Sequence, residues 1–311
     1  MQKNNDHLTE FKKNGYLIIE DFFDYKLISN LHGFIKAQLC EYANEININF
    51  EKYVSSTGRW GTKSRFFKDN IFNNINDKVK LYHENLTGTK ITLQKQNVIC
   101  KNEYVTGSLA LHQDISYSYN SPYNFTLWLS LDNILPDSGE MIVIPKSHKG
   151  PIARAVDFWS PYFKDKKLEK YSDKLENIYL KAGDALLFDS RLWHGSVENL
   201  KKACRYAYVT RWLFEGYKFP HIPEPQPLEF GMWNCHAQLT EILLKLNEID
   251  AKIPFEDLLN KAKELMVQKG NSKAVGAIER LMILHKATEL HDAGDLCGKV
   301  YREVLNELKL Q

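Results

Sequence analysis

The segment from about Lys90 to Phe214 most constrains the fold, because its pattern is typical of short β-strands separated by turns. In NFTLWLSLDNI (residues 124–134), bulky apolar residues alternate with threonine, tryptophan and serine. Successive side chains of a strand point to opposite faces, so this alternation predicts a strand with one face in the core. Further short apolar runs occur at 139–148 and 205–214. The whole pattern predicts a mainly β domain, a sandwich or jelly roll.

Helical patterns precede this β segment. We predict a short helix over residues 7–13, a strand that starts at Tyr16 and a second helix over 27–43. Residues 53–68 combine Gly, Ser and Thr with aromatic and basic residues, which predicts a loop. This loop is either a solvated surface segment or one that closes over an anionic group.

A proline-rich stretch, PHIPEPQPL, begins at Pro220 and interrupts regular structure. Over residues 234–311, leucine, isoleucine and methionine recur with helical spacing, which predicts three or four amphipathic helices. We therefore predict two domains. Residues 1–220 form the jelly-roll domain with its N-terminal helices, and residues 221–311 form a helical extension. The extension is expected to pack on the first domain or to form a homodimer contact.

The charge balance bears on the class of partner. The chain has 41 Lys and Arg residues against 39 Asp and Glu residues, for a net charge of +2. Binding to nucleic acid as a main function requires an excess positive field that this composition does not supply. We therefore expect no nucleic acid partner.

The cysteines and the apolar segments predict a soluble, cytoplasmic protein. The five cysteines form no close pair, which argues against a disulfide framework or a zinc knuckle. The N-terminus lacks the apolar region of a signal peptide, and no segment stays apolar over a length that spans a bilayer. We expect reduced thiols and no membrane partner.

The stretch LALHQDISYSYN contains a histidine and an aspartate two positions apart, His112 and Asp114. On a strand, residues i and i+2 point to the same side. An imidazole and a carboxylate that converge in this way are two-thirds of a metal site, or else an ion pair. A third ligand has to come from elsewhere in the chain.

Two histidines at strand ends compete for the third position, His148 and His194. His194 is followed two residues later by Ser196, on the same strand face, and eleven residues later by Arg205, at the start of the next strand. Only lysines neighbour His148. We therefore predict His194 as the third ligand.

Together these segments resemble the phytanoyl-CoA dioxygenase family of iron(II)- and 2-oxoglutarate-dependent oxygenases. The resemblance rests on His112-Gln113-Asp114, on DNILPDSGEMIVIPKSHKG, on GDALLFDSRLWHGSVEN and on Arg205. The opening FKKNGYLIIEDFFDYKLISNL is similar to the first strand and helix of the family, and the match covers roughly residues 8–215. The chain departs from the family pattern at Lys146, where the motif usually has a turn glycine.

The resemblance implies a double-stranded β-helix, that is, a cupin-like jelly roll. It implies that His112, Asp114 and His194 are catalytic and bind Fe(II), with 2-oxoglutarate and O₂ at the open metal positions. The distal carboxylate of 2-oxoglutarate would meet the guanidinium of Arg205 in a bidentate fork, with the hydroxyl of Ser196 as a second donor. Two residues of a facing strand are expected near the co-substrate: Trp128 and Thr126.

The expected activity is that of a dioxygenase that hydroxylates a C–H bond of a small-molecule metabolite and releases succinate and CO₂. The carboxylate of Asp114 favours hydroxylation or a related oxidation, because related halogenases have a small residue there. Two alternatives assume the same fold but a different function. One is a cupin-like metal-binding sensor or lyase, which would not need Arg205. The other is an inactive jelly roll in which His112 and Asp114 form a hydrogen-bonded pair. A third is a binding protein whose helical tail is the functional part.

The substrate is predicted only as a class. Tyr117, in the tyrosine-rich run after the metal motif, is expected at the pocket mouth. Arg59, Lys63 and Arg65 either steer a carboxylate or phosphate or form a solvated face. Trp159, Tyr162 and Phe163 are expected in a lid. This mixture suits an amino acid, a phosphorylated compound, a natural-product intermediate or an acyl thioester.

Overall fold

The computed structural model describes residues 2–102, 107–155, 172–201, 203–224, 231–295 and 299–309. The N-terminal elements are α1 (Gln2–Asn14), β1 (Tyr16–Ile19), α2 (Tyr25–Glu45), α3 (Phe50–Ser56), β2 (Gly58–Trp60) and α4 (Asn70–Thr87). The central strands are β3 (Ile91–Lys101), β4 (Leu109–His112), β5 (Phe125–Ser130), β6 (Met141–Val143), β7 (Glu176–Ile178), β8 (Ala185–Asp189), β9 (His194–Ser196) and β10 (Arg205–Phe214). The C-terminal elements are α5 (Gly231–Lys245), α6 (Phe255–Gln268), α7 (Ser272–His291), β11 (Ala293–Asp295) and α8 (Lys299–Lys309).

Two sheets form the jelly roll. The large sheet has the order β1-β8-β5-β10-β3-β2-β11, and the small sheet has the order β4-β9-β6-β7. All strand pairs in both sheets are antiparallel. Trp128 and Val209 of the large sheet pack with Met141 and Val143 of the small sheet. This inner layer confirms the predicted jelly roll.

The outer face of the large sheet is covered by the N-terminal helices. Leu127 and Leu129 of β5 share one core with Leu31 and Ile35 of α2, as the predicted alternation requires. The jelly roll and the flanking helices are as predicted, but the described residues are not mainly β, because helices contain more of them than strands do. The sheet needs this helical layer, since its outer side chains are also apolar.

The prediction of a loop over residues 53–68 is wrong. The segment contains the end of α3, the strand β2 and a 3₁₀ turn over Arg65–Lys68. Trp60 on β2 is fully buried. β2 has only three residues and forms by pairing with β3 and β11, which is a tertiary contact with no local sequence signal.

The C-terminal helices enclose a second apolar core, which includes Leu243, Leu259 and Leu281. The chain then returns to the first core through β11, which pairs with β2. His291, at the end of α7, stacks on Tyr42 of α2 with ring centroids 4.1 Å apart. The domain boundary at residues 220/221 and the homodimer contact remain predictions.

The remaining global predictions concern membranes and thiols. Among the described helices, none is long and apolar enough to span a membrane. Among the described cysteines, Cys40 and Cys100 are thiols.

Candidate metal and co-substrate site

Strands β4 and β9 bring the two predicted histidines together, since His112 and His194 are directly paired in the small sheet. β4 ends at His112, and Asp114 begins a 3₁₀ turn. The turn is held by the amide of Ile115, which donates to the carbonyl of Ser190 at 3.0 Å. Thus a turn, rather than a continuous strand, brings Asp114 to the histidines.

The three side chains are buried and converge on one point. Oδ1 of Asp114 lies 3.6 Å from Nε2 of His112 and 3.7 Å from Nε2 of His194. One ligand atom from each residue falls within 4.8 Å of the others. Gly195 allows the close approach of β9 to β4, because a Cβ there would lie 2.6 Å from the carbonyl oxygen of Leu109.

Hydrogen bonds to the backbone orient both imidazoles. Nδ1 of His112 lies 2.7 Å from the carbonyl oxygen of Ala110, and Nδ1 of His194 lies 3.0 Å from that of Leu192. A carbonyl can only accept, so each Nδ1 carries the proton and each Nε2 keeps a lone pair that a metal can take. This arrangement is typical of histidine metal ligands.

The charge states also suit a metal site. Burial lowers the pKa of His194 to about 4, and the neighbouring His112 adds to the effect. Burial opposes ionisation of Asp114, but Arg211 and the two histidines outweigh it and hold the pKa of that carboxyl well below its usual value. At pH 7 His194 is therefore neutral and Asp114 is ionised, which are the ligand forms.

The second oxygen of the carboxylate is held by the large sheet. The hydroxyl of Thr126 donates to Oδ2 of Asp114 at 2.8 Å, and Nε of Arg211 lies 3.7 Å from the same oxygen. Oδ1 is thereby directed towards the histidines. Two imidazoles and one carboxylate arranged in this way fit the facial triad of a non-haem Fe(II) site.

A cluster of cations lies beside the triad, where Arg205 was predicted to bind 2-oxoglutarate. Arg205 is buried and pairs across the sheet with Lys101 of β3. Its guanidinium carbon lies 5.0 Å from the centroid of the Trp128 ring, and it donates to the carbonyl of Gly139. Lys101, which is also fully buried, donates to the hydroxyl of Ser196 at 2.8 Å.

Two site residues escape the sequence reasoning, Lys101 and Arg211. Arg211 lies in a strand of mostly aromatic and apolar residues, which is a signal for a functional cation. Lys101 ends a strand that also contains several polar residues, so its sequence context carries no such signal. Arg211 donates to the hydroxyl of Tyr123 and to Oδ1 of Asn97, both at 2.7 Å. These bonds hold its guanidinium beside Asp114.

The predicted pocket residues fall in different places. Tyr117 lies edge-to-face with the imidazole of His112, with ring centroids 5.7 Å apart. Arg59 lies on β2, and the side chain of Lys63 is exposed on the following loop. Arg65 pairs with Glu45 of α2, on the helical side of the sheet.

The predicted lid residues, Trp159, Tyr162 and Phe163, lie outside the described residues. Trp128 packs in the inner core as well as on Arg205. The contact that the structure shows for Thr126 is with the metal-binding carboxylate.

The fold and the triad together define a jelly-roll protein with the ligand set of a non-haem iron oxygenase. The family model described as Phytanoyl-CoA dioxygenase (PhyH) matches residues 11–207, and the chain belongs to this family. The family resemblance seen in the motifs is thereby confirmed. No curated protein matches the chain.

Solved structures share the fold at low identity. The epimerase SnoN in complex with Fe³⁺, alpha ketoglutarate and nogalamycin RO is 16% identical, over 73% of this chain and 96% of SnoN, with a TM-score of 0.53. Apo EctD from S. alaskensis is 15% identical, over 72% of this chain and 84% of EctD, with a TM-score of 0.54. HygX from Streptomyces hygroscopicus with nickel and 2-oxoglutarate bound is 14% identical, over 68% of this chain and 87% of HygX, with a TM-score of 0.50.

Proposed function

We propose that the protein is an Fe(II)- and 2-oxoglutarate-dependent dioxygenase that hydroxylates a C–H bond of a small-molecule metabolite, with release of succinate and CO₂. The observation that carries the proposal is the buried triad, whose two Nε2 atoms and Oδ1 converge while their other polar atoms are held by the protein. Such prior orientation is what a metal site requires. The family membership supports the same chemistry.

In this proposal Nε2 of His112, Oδ1 of Asp114 and Nε2 of His194 hold the metal. Arg205 binds the distal carboxylate of 2-oxoglutarate, and Ser196 donates a further hydrogen bond to it. When bound, the iron and 2-oxoglutarate supply the activation of O₂. The protein orients both partners and excludes water with the inner core around Trp128.

Hydroxylation is proposed from the ligand set and not from the fold, because the epimerase SnoN has a similar fold. The carboxylate of Asp114 occupies the position that would have to be vacant for a halide ligand. The proposed reaction is therefore hydroxylation or a related oxidation of a C–H bond, without transfer of a halogen.

The test is an anaerobic titration of the full chain with Fe(II) and 2-oxoglutarate, in which the visible charge-transfer band of the chelated oxo acid is measured. We expect the band in the wild type and in the control His221→Ala, whose imidazole is exposed. We expect His194→Ala to lack it. Iron binding without the band would contradict the proposal and favour a cupin-like metal sensor or lyase.

A further inference from the structure

The inner face of the large sheet carries Arg59, Lys95 and Arg211 in addition to Lys101 and Arg205. Lys95 of β3 pairs directly with Arg211 of β10, and Arg211 pairs with Thr126 of β5. Directly paired residues of antiparallel strands have side chains on the same face. Since Thr126 contacts Asp114, this is the face of the metal site.

Arg59 belongs to the same face by register. It pairs with Ile99 of β3, which lies four residues from Lys95 and therefore on the same side of the strand. Ile99 packs in the inner core with Trp128. The neighbour of Arg59, Trp60, points the other way and is fully buried in the outer core.

The side chains of Arg59 and Lys95 lie on an inner face and are partly enclosed there, but both residues keep accessible surface. The opposite faces of β2 and β3 are packed in the outer core, where Val98 and Cys100 are buried. The accessible surface of the two cations therefore belongs to the opening between the sheets. In the described part of the chain, neither has a carboxylate within 4.0 Å.

Arg59, Lys95 and Arg211 lie within electrostatic reach of one another. Burial lowers the pKa of Lys95, and the charges of Arg211 and Arg59 lower it further. Burial also lowers the pKa of Arg59, followed by the effect of Arg211, while Asp292 and Asp114 oppose it. Cations that lower each other's pKa in this way form a region of positive potential, which favours the binding of an anion.

Of these three cations, Arg211 is already committed to fixed partners, namely Asp114, Tyr123 and Asn97. The charges of a divalent metal, Asp114, doubly charged 2-oxoglutarate and Arg205 cancel, and the neighbouring Lys101 and Arg211 leave the metal side positive. Arg59 and Lys95 add two further positive charges, which face the opening.

We propose that Arg59 and Lys95, backed by Arg211, bind an oxyanion group of the substrate, either a phosphoryl group or a carboxylate. The inference rests on the proposed oxygenase function and narrows its substrate to an anionic small molecule. The proposal assigns the role that the sequence suggested for Lys63 to Lys95, because the side chain of Lys63 lies on the exposed loop. The anion anchors one end of the substrate and leaves the remainder to extend towards the metal.

The test uses the full chain loaded anaerobically with Fe(II) and 2-oxoglutarate, so that the co-substrate occupies its own site. Inorganic phosphate and acetate are the probes, titrated by calorimetry. We expect saturable binding of one or both, weakened about tenfold in Arg59→Gln and in Lys95→Gln, because each loses a charge-assisted hydrogen bond. Arg59→Lys retains the charge and is expected to recover most of the affinity.

Lys80→Gln is the matched control, because Lys80 is exposed on α4, on the opposite side of the sheet. Tighter binding of phosphate supports a phosphoryl group on the substrate, and tighter binding of acetate supports a carboxylate. Absence of saturable binding, or equal binding in wild type and variants, overturns the inference when the charge-transfer band is present. If the band is absent but binding depends on Arg59 and Lys95, the anion site stands and the oxygenase function fails.

Discussion

The hydroxyl of Thr126 donates to Oδ2 of Asp114 at 2.8 Å. A residue of the large sheet thereby orients a metal ligand that is attached to the small sheet. The two sheets are joined at the site by this hydrogen bond, and the free oxygen of the carboxylate is left facing the histidines.

The substitution Thr126→Val removes this donor and nearly keeps the shape of the side chain. We expect the affinity for Fe(II) to fall about tenfold, since the loss of an outer partner of a metal ligand has effects of that size. Anaerobic titration of the apoprotein with Fe(II) measures it. Thr92→Val, on an exposed position of β3, is the control. An unchanged affinity in Thr126→Val would show that Asp114 is oriented without the hydroxyl.

Arg205 is predicted to bind 2-oxoglutarate through two parallel N–H groups, which lysine cannot provide. We expect Arg205→Lys to raise the Kd for 2-oxoglutarate by about tenfold or more and to leave the Kd for Fe(II) unchanged. The Kd for 2-oxoglutarate is obtained from the intensity of the charge-transfer band as a function of co-substrate concentration.

Arg191→Lys is the control for this substitution, because the guanidinium of Arg191 also makes a forked contact, with the carboxylate of Asp189, which is not a residue of the triad. If Arg205→Lys and Arg191→Lys had the same affinity for 2-oxoglutarate, Arg205 would not be the residue that binds the co-substrate. In that case Lys101, which donates to Ser196, is the next cation to test.

The metal triad was predictable because its signals are local. His112 and Asp114 are two residues apart, and His194 is marked by Ser196 and Arg205 in the same short segment. What the sequence did not show is that β4 ends at His112 and that a turn presents the carboxylate.

The sequence did not predict which cations lie close to one another around the triad. Lys95 and Arg211 meet because β3 and β10 pair in one particular register, with an irregularity next to Arg211. Strand register depends on the partner strand and on the packing of both faces. For the same reason the three-residue strand that carries Arg59 was predicted as a loop.

The buried histidine of α4 makes stability depend on pH. His83 stacks on Phe125 with ring centroids 4.3 Å apart, and burial lowers its pKa from 6.5 to about 4. Below pH 6.5 the unfolded chain takes up the proton more readily than the folded one, so the free energy of unfolding decreases as the pH falls. The decrease in the free energy of unfolding that is due to His83 is complete below about pH 4 and amounts to about 2 kcal/mol at pH 5.

Urea denaturation at pH 7 and pH 5 measures this dependence. We expect His83→Leu to lose about 2 kcal/mol less than the wild type over that interval, because leucine does not titrate. The other buried histidines are the same in both proteins and cancel in the comparison. His221→Ala, at an exposed position, should behave as the wild type. A parallel decrease in His83→Leu and wild type would mean that His83 does not contribute.

Lys146 occupies the turn position where the family motif has glycine, and its backbone is left-handed, with φ of 67°. A non-glycine residue in that conformation is less stable by about 1 kcal/mol or more, and glycine offsets part of this through its greater freedom in the unfolded chain. We expect Lys146→Gly to raise the free energy of unfolding by about 0.5 kcal/mol. Lys149→Gly, at an exposed 3₁₀ position, is the control and should lower it. Since the amide of residue 146 donates to the carbonyl of Asn14 in either case, a loss of stability in Lys146→Gly would mean that the lysine side chain itself stabilises the turn.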